Sequence, residues 1–385
     1  MLKSYRVEIK PTSQQIQKIE QSMGICRWLY NSYIMKNQAL YTEFIAGNID
    51  KKQAFMSAYE FDKYINNEIK VLNEYKWINE CGAKARKKAI CNAETVYKKF
   101  MSGKSKNLRL KKKNKNNVKL YFPKNNHGDW KVYRHKIMIP TLKYVQLKEY
   151  GYIPIDAKIV SGTVSKEAGR YYVTVACEIE NTYIDKPKTE PIGIDLGLKD
   201  FAICSNGKVY KNINKTSTVK KLEKKLKREQ RCLSRKYTSK KKGEGQNIKK
   251  QILKIHKIYK RLSDIRNDYI NKTISEIIEQ NPSSITIEHL NVSGMMKNRH
   301  LSKAIQQQKF YGFRVKLTNK CHQNNIELRV VDRWFPSSKL CNCCGTIKKD
   351  LKLSDRIYKC ECGYEEDRDL NAALNLRDAK IYTIA

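Results

Sequence analysis

Three acidic residues from distant parts of the chain have the setting of metal ligands. Asp195 interrupts an apolar run that predicts a β-strand, Glu288 ends a second such run, and Asp369 begins a segment typical of a helix. A carboxylate within an apolar strand is unfavourable unless a cation compensates its charge. Two Mg²⁺ ions about 4 Å apart stabilise the attacking and the leaving oxygen of a phosphodiester cleavage. Together the acids favour such a site, whereas each alone indicates only a strand end, a local ion pair or a helix start.

Five of the 12 cysteines are concentrated in one short segment. Cys341 and Cys344 have the C-x-x-C spacing, and Cys360 and Cys362 have the C-x-C spacing. Four thiolates in two pairs suit tetrahedral Zn²⁺ with no open position, which is typical of a structural site. Cys343 is an alternative member of the first pair. The other interpretation, a group of reactive thiols, is hazardous without a metal.

The charge of the chain predicts a polyanionic partner. Lys and Arg total 78 against 38 for Asp and Glu, so the formal net charge is +40. A surplus of this size repels itself in the compact state unless a polyanion neutralises it, and nucleic acid is the obvious one. No run approaches the roughly 20 apolar residues of a spanning helix, and the first residues lack the apolar run of a signal peptide. We therefore expect a cytoplasmic protein.

One long segment, between Glu94 and Asp129, contains no acidic residue. Such charge runs are often solvated linkers, but here aromatic residues follow directly, and this combination favours contact with phosphates. A later helix carries a second lysine-rich face. The residues predicted to contact nucleic acid are Lys104, Lys106, Arg109, Lys111, Lys112, Lys113, Lys115, Lys119, Lys249 and Lys250.

The elements that must hold these residues in place follow from the spacing of apolar residues. Alternating Tyr5, Val7 and Ile9 predict a first strand. Thr12 and Gln15 have the spacing of a capping box, so a helix begins there. The remaining predicted elements are a mostly helical stretch 15–101, strands over 160–164 and 171–179, a polar linker 182–190, a very basic helix over 216–242 and an amphipathic helix over 248–269. The apolar stripe of the last helix, which includes Tyr259, is interpreted as core packing.

Several of these motifs together resemble a known family. GIDLGLKD around Asp195, TIEHLNVSGM around Glu288, and the run from PSSK through the cysteines to DRDLNAALN resemble the TnpB family. These are transposon-encoded, RNA-guided DNA endonucleases related to the compact type V CRISPR effectors. The stretch from Tyr5 to Asn31 resembles the opening of the family, so the likeness covers nearly the whole chain.

The resemblance implies a multidomain protein of α/β and α+β class. The implied domains are a β-barrel wedge (1–14 and 102–185), a helical recognition insertion (15–101), a RuvC-like, RNase H-type nuclease domain (190–335 and 364–385, with basic helices 216–280) and an inserted zinc ribbon (336–363). The catalytic acids carry over to Asp195, Glu288 and Asp369, the last being the second acid of DRD. Two departures are the short Cys360–Cys362 spacing and His289, which stands where the family often has an acid.

The implied function is RNA-guided cleavage of DNA beside a short flanking motif. The implied cofactors are two catalytic Mg²⁺ ions, with Mn²⁺ as a substitute, and one structural Zn²⁺. The implied partners are a transposon-derived guide RNA and double-stranded target DNA, in a prokaryotic cytoplasm at the nucleoid. A guided repressor without cleavage is one alternative, which the complete set of acids disfavours. A guide-independent recombinase or nuclease is the other, which the several separate basic regions disfavour.

Overall fold

The structure is a computed structural model that describes residues 2–113, 119–123, 129–155, 157–180, 187–239, 245–352 and 354–385. The chain divides into two compact units, Met1–Glu180 and Asn181–Ala385. Each unit has its own hydrophobic core, and both combine helices with a β-sheet. The predicted mixed α/β multidomain fold is therefore confirmed. No helix among the described residues is both long enough and apolar enough to cross a membrane.

The first unit contains three α-helices and seven strands within the described residues. The helices are α1 (Ser13–Ile45), α2 (Ala58–Tyr64) and α3 (Ala83–Met101). The strands are β1 (Leu2–Lys10), β2 (Leu120–Phe122), β3 (Lys131–Val132), β4 (Lys136–Ile139), β5 (Lys143–Leu147), β6 (Lys158–Glu167) and β7 (Arg170–Glu178). They form one sheet in the order β2-β6-β7-β1-β5-β4-β3, and every pairing is antiparallel.

The local predictions for this unit are confirmed at its amino end. Tyr5, Val7 and Ile9 are buried on one face of β1. Thr12 caps α1, because its side chain accepts from the N–H of Gln15 and the Gln15 side chain accepts from the N–H of Thr12. The predicted β-barrel is not confirmed. In the part of the chain that the structure describes, no pairing joins the two edge strands β2 and β3.

The second unit contains six α-helices and eight strands within the described residues. The helices are α4 (Ser217–Thr238), α5 (Gln246–Glu279), α6 (Val292–Met295), α7 (Ser302–Gln308), α8 (Phe310–Gln323) and α9 (Arg368–Arg377). The strands are β8 (Ile192–Leu196), β9 (Asp200–Cys204), β10 (Val209–Lys211), β11 (Ser284–Glu288), β12 (Glu327–Val331), β13 (Ile357–Lys359), β14 (Glu365–Asp367) and β15 (Thr383–Ile384). β13 and β14 form a separate two-stranded sheet.

The main sheet of this unit has the order β10-β9-β8-β11-β12-β15. Its three central strands β8, β11 and β12 are parallel, whereas β9, β10 and β15 run antiparallel to their neighbours. Central parallel strands are covered on both faces, so their sequences are continuously apolar. The sequences that precede Asp195 and Glu288 have this character. The carboxyl ends of these strands meet at one edge of the sheet.

Helices α5 and α8 cover one face of this sheet. Ile274 and Ile277 of α5 pack with Phe313 and Leu317 of α8 in the core of the unit. The predicted apolar stripe along α5 is confirmed with one exception. Tyr259 is 49% exposed, and its hydroxyl accepts a hydrogen bond from the side chain of Gln230 on α4. Its ring therefore lies at the surface between two helices, where its polar end is satisfied.

Candidate active site and cysteine cluster

Two of the three predicted acids lie side by side at the carboxyl edge of the main sheet. The pairing of parallel strands β8 and β11 places Ile194 opposite Ile287. The next residues along these strands are Asp195 and Glu288. Because successive side chains on a strand alternate between faces, these two carboxylates project from the same face of the sheet. His289, directly after β11, is exposed, and its backbone N–H donates to the carbonyl of Val331 at 3.0 Å.

The third acid reaches this edge because α9 packs very closely on β8. A Cβ built on Gly193 would lie 2.0 Å from the carbonyl oxygen of Ala373 and 2.4 Å from the backbone N of Arg377. Only a residue without a side chain fits beneath this helix. Ala372 and Ala373 are buried, as the small residues of the predicted packing face require. Asp369 lies in the first turn of α9, beside the strand ends.

The electrostatics of the site reflect the burial of Asp195 and the charges of the other two acids. Burial first, and then the charges of Asp369 and Glu288, raise the pKa of Asp195 to about 7, against the opposing effect of Arg368. Burial also raises the pKa of Glu288 above its usual range. A cluster of partly buried acids that repel one another has the oxygen donors and the negative charge to hold divalent cations such as Mg²⁺.

The two acids of the DRD motif have different roles in the structure. Asp367 caps α9, because its Oδ1 accepts from the N–H groups of Asp369 at 2.9 Å and Leu370 at 3.1 Å. Asp369 instead accepts from Nε and Nη2 of Arg368, at 3.2 and 3.0 Å. The carboxylate of Asp367 thus caps the amino end of α9, whereas that of Asp369 forms an ion pair with Arg368 beside the other acids.

The four predicted cysteines form a compact cluster. The sulfur atoms of Cys341 and Cys362 are 3.7 Å apart, and those of Cys344 and Cys360 are 3.6 Å apart. Four ligands at about 2.3 Å from a tetrahedral Zn²⁺ are separated by about 3.8 Å, so these distances fit zinc. Within the described ranges this is the one group of three or more possible ligands whose atoms all lie within 4.8 Å of one another. Cys343 is exposed and stands outside it.

Each half of the cluster is a tight turn that ends in a glycine. Gly345 has φ 75° and donates to the carbonyl of Cys341, and Gly363 has φ 88° and donates to the carbonyl of Cys360. Both glycines are in the left-handed region that other residues rarely adopt. The short C-x-C spacing is accommodated by the second turn. The side-chain and backbone hydrogen bonds of Thr346 lower the pKa of the Cys344 thiol to about 6, which favours the thiolate that a metal needs.

Two buried asparagines join this cluster to α9. Asn371 donates to the carbonyl of Leu340 at 2.8 Å, and Asn375 donates to the carbonyls of Ser337 and Leu340 at 2.8 and 2.7 Å. Asn342 completes the contact by donating through its backbone and side chain to their Oδ1 atoms. The segment that leads into the first pair of cysteines is therefore fixed to the helix that carries Asp369.

The sequence analysis does not identify these asparagines, because it predicts the helix from its apolar residues alone. The available signal was their spacing of four residues, which places both on one face of a helix that is otherwise apolar there. Both are almost completely buried, with 0% and 2% of their surface exposed. Buried amides are expected to be hydrogen-bonded, so asparagines at such positions indicate a partner backbone.

The predicted nucleic-acid contacts fall into three groups. The exposed ones are Lys104, Lys106, Arg109, Lys112, Lys113 and Lys119 in the first unit and Lys249 and Lys250 on α5 in the second. Lys115 lies outside the described residues.

Lys111 differs from the exposed lysines because its side chain is partly buried against α1, and its contact with nucleic acid stays a prediction. Its Nζ is 3.8 Å from the centre of the Tyr30 ring, its backbone exchanges two hydrogen bonds with the Asn31 side chain, and burial lowers its pKa. We therefore assign Lys111 to the packing of this segment against α1.

The fold resembles that of a solved Cas12f1 protein. A solved Cas12f1 protein, in a structure titled "Cryo-EM structure of the Cas12f1-sgRNA-target DNA complex", superposes with a TM-score of 0.63 at 14% identity, over 100% of this chain and 99% of that chain. At this identity the likeness concerns the fold alone. The fold of this chain is thus Cas12f1-like.

Three domain models match separate parts of the chain. Residues 1–45 match the helix-turn-helix domain of OrfB_IS605, residues 174–299 match OrfB_IS605, described as a probable transposase, and residues 310–376 match the TNB domain of Cas12f1-like proteins. The chain therefore carries the OrfB_IS605 transposase and Cas12f1-like TNB domains, and the predicted resemblance to the TnpB family is confirmed.

Full-length relatives agree with these domains. A protein of Streptomyces pristinaespiralis named "Putative RNA-guided DNA endonuclease" is 28% identical over 97% of this chain and 88% of its own length. The Escherichia coli protein InsQ, which has the same description, is 26% identical over 97% of this chain and 91% of its own length. The similarity to these relatives thus extends through both units.

Proposed function

We propose that this chain is a transposon-encoded, RNA-guided DNA endonuclease that hydrolyses phosphodiester bonds at Asp195, Glu288 and Asp369. The observation that carries the proposal is the convergence of these three carboxylates at one edge of the sheet, where burial first, and then the charges of Asp369 and Glu288, raise the pKa of Asp195 to about 7. The names of the relatives, and the nucleic-acid complex in which the structural neighbour was solved, support the same activity. A complete set of acids disfavours the alternative of a repressor that binds DNA without cutting it.

The domain assignment follows from the arrangement of the second unit. Two neighbouring parallel strands and one closely packed helix supply the acids, which supports a RuvC-like nuclease domain over 190–335 and 364–385. Its inserted zinc ribbon is 336–363. In the first unit, the sheet over 1–14 and 102–185 corresponds to the proposed wedge domain and the helices over 15–101 to the recognition insertion.

Two Mg²⁺ ions would be held by the three carboxylates, with Mn²⁺ as a substitute, and would activate a water molecule and neutralise the charge of the phosphate. Asp195 and Glu288 offer their oxygens from rigid strands, and Asp369 offers its own from α9. The carboxylates are spread more widely than the cysteines, as a site for two ions requires. In the reaction, the attacking water loses a proton to solvent as its oxygen bonds to phosphorus, the phosphorus–oxygen bond of the leaving group breaks, and the leaving oxygen takes up a proton from solvent.

The cysteine cluster would hold one Zn²⁺. Its four thiols leave no position open for substrate, so this metal is structural. The hydrogen bonds from Asn371 and Asn375 support the proposal that this metal stabilises the segment packed on α9, the helix that carries Asp369. Zinc therefore has a structural role and magnesium a catalytic role, and experiments can distinguish the two.

Guide RNA is the partner that best accounts for the charge. Exposed lysines and arginines occur in both units, and a single DNA duplex in one nuclease groove would leave much of the net charge of +40 unneutralised. A structured RNA bound permanently would neutralise it. Sequence recognition then rests on base pairing between guide and target, with protein contacts made to the backbone.

The test is to change only the guide segment of the RNA that co-purifies with the protein. The complex is given two DNA targets, one matching the old guide and one the new, each beside the same library of flanking sequences. Cleavage is expected to move to the new target and to disappear with Asp195→Ala. Cleavage that stays at the old target, or continues without RNA, would establish the guide-independent nuclease in its place. Guided binding without cleavage by the unmodified protein would establish the repressor.

A further inference from the structure

A shallow cleft adjoins Glu288 at the carboxyl edge of the main sheet. Its floor is apolar and includes Leu196 of β8 and Ile287 of β11. Its rim is formed by Tyr311 and Arg314, both in the first half of α8. Glu288 also lines the cleft, so Tyr311 and Arg314 lie beside the acid cluster without belonging to it.

Arg314 has the environment of an anion-binding residue. Its side chain is half-buried, and among the described residues its guanidinium makes no hydrogen bond and no ion pair. A guanidinium that is partly removed from water without a partner is unfavourable, and its planar set of donors matches a phosphate. The apolar floor beside it strengthens that interaction, because it lowers the local dielectric constant.

Tyr311 has the environment of a stacking residue. It is 71% exposed, although it is a large aromatic side chain at the margin of an apolar cleft. Tyr311 and Arg314 are three positions apart, so they lie on the same side of α8, about 4.5 Å apart along its axis. One ring and one cation at this spacing match a base and the phosphate next to it.

We propose that Tyr311 and Arg314 position a single strand of DNA for cleavage, with one base stacked on Tyr311 and a neighbouring phosphate bound by Arg314. The strand must be unpaired, because in a duplex both faces of each base are already covered by stacking. The proposal rests on the proposed nuclease function and adds that the opened DNA strand passes along α8 at Glu288. Both are positioning residues, since they hold the strand while the acids serve the reaction.

The test uses the complete protein with its co-purified RNA and measures single-turnover cleavage at saturating target. Tyr311→Ala and Arg314→Ala should each slow cleavage about tenfold or more, the scale of losing one stacked base, with target binding nearly unchanged. Tyr311→Phe keeps the ring and should cleave at close to the normal rate. Arg314→Gln lacks the positive charge and should cleave as slowly as Arg314→Ala. Val315→Ala and Lys320→Ala, elsewhere on the exposed surface of α8, are matched controls that should cut normally.

A second measurement does not depend on cleavage. In the Asp195→Ala complex, 2-aminopurine is placed in turn at successive positions of the opened target strands. At one position its fluorescence should be quenched by stacking, and Tyr311→Ala should remove that quenching while Tyr311→Phe retains it. The unmodified complex could fail to cleave DNA while the quenching still depends on the Tyr311 ring. This result would support the stacking site and contradict only the proposed nuclease activity. The absence of any position that depends on Tyr311, or equal losses in Tyr311→Phe and Tyr311→Ala, would overturn the stacking site.

Discussion

Gly193 and Ala373 are in direct backbone contact across the sheet and α9, with room for no Cβ between them. Gly193→Ala should therefore push α9 away from β8 and move Asp369 out of position. We expect cleavage to fall at least about a hundredfold, since displacements of about 1 Å in a catalytic arrangement have effects of this size. Gly245→Ala is the matched control, because a Cβ there meets nothing within 4 Å. Normal cleavage by Gly193→Ala would show that the position of α9 is not critical.

The DRD motif offers a comparison of two acids two residues apart. Asp369→Ala should abolish cleavage and leave target binding intact, because it removes a proposed metal ligand. Asp367→Ala should lower the free energy of unfolding by about 1 kcal/mol through loss of the helix cap, while cleavage continues. Cleavage assays and thermal unfolding of both variants give the answer. The reverse pattern would assign the metal to Asp367.

The burial of Asp195 beside two other acids should be visible as a dependence of stability on pH. The pKa of Asp195 is raised to about 7 in the folded chain and is near 4 when unfolded, so the folded state binds more protons between these values. Without divalent cations, stability from this group is therefore present at low pH and is lost as the pH rises from about 4 to 7. Asp195→Asn should reduce this loss and raise the free energy of unfolding at pH 8 by roughly 1 kcal/mol or more.

Magnesium provides the control for that experiment. Mg²⁺ should stabilise the unmodified protein at pH 8, because a bound cation compensates the carboxylates, and should stabilise Asp195→Asn much less. Thermal unfolding with and without Mg²⁺ measures both effects. An unmodified protein whose stability at pH 8 does not respond to Mg²⁺ or Mn²⁺ would contradict the assignment of these acids as metal ligands.

Zinc should be essential to the position of α9. Metal analysis is expected to find about one zinc per chain. Cys360→Ser should lose the metal and also reduce cleavage, because the segment held by Asn371 and Asn375 then loses its fixed conformation. Cys343→Ser should retain both metal and cleavage, since Cys343 lies outside the cluster. Full zinc content in Cys360→Ser would show that the metal is held by other residues.

Substitutions of the lysines in the segment before β2 should have two different effects, one on nucleic-acid binding and one on stability. Replacing Lys104 and Lys106 by Ala should weaken nucleic-acid binding alike at all sequences and reduce the slope of log K against log salt by about 2. Lys111→Ala should instead lower the melting temperature, because its ammonium packs on Tyr30. Salt titrations and thermal unfolding distinguish the two effects. If Lys111→Ala weakened nucleic-acid binding without changing the melting temperature, Lys111 would instead be assigned as a phosphate contact.

The features predicted correctly from the sequence are those determined by neighbours in the chain. The capping box at Thr12, the helix start before Asp369 and the paired cysteines all depend on spacings of a few residues. The apolar runs of β8 and β11 identify buried strands in the same way, because strands covered on both faces need apolar residues throughout.

The features that the sequence did not reveal depend on residues far apart. The proximity of Gly193 to Ala373 follows from the packing of a late helix on an early strand, which no local pattern encodes. The packing of Lys111 on Tyr30 and its hydrogen bonds to Asn31 have no local signal, because both partners belong to α1. The open sheet of the first unit, where a barrel was expected, likewise depends on which edge strands pair.

The dispersed origin of the three acids has a consequence for synthesis of the protein. β8 and β11 leave the ribosome long before α9, and the cysteine segment that holds α9 lies between. A nascent chain that has already folded its central strands thus still lacks the third carboxylate and the helix that delivers it. Under the proposed mechanism, such an unfinished polypeptide cannot yet cleave DNA.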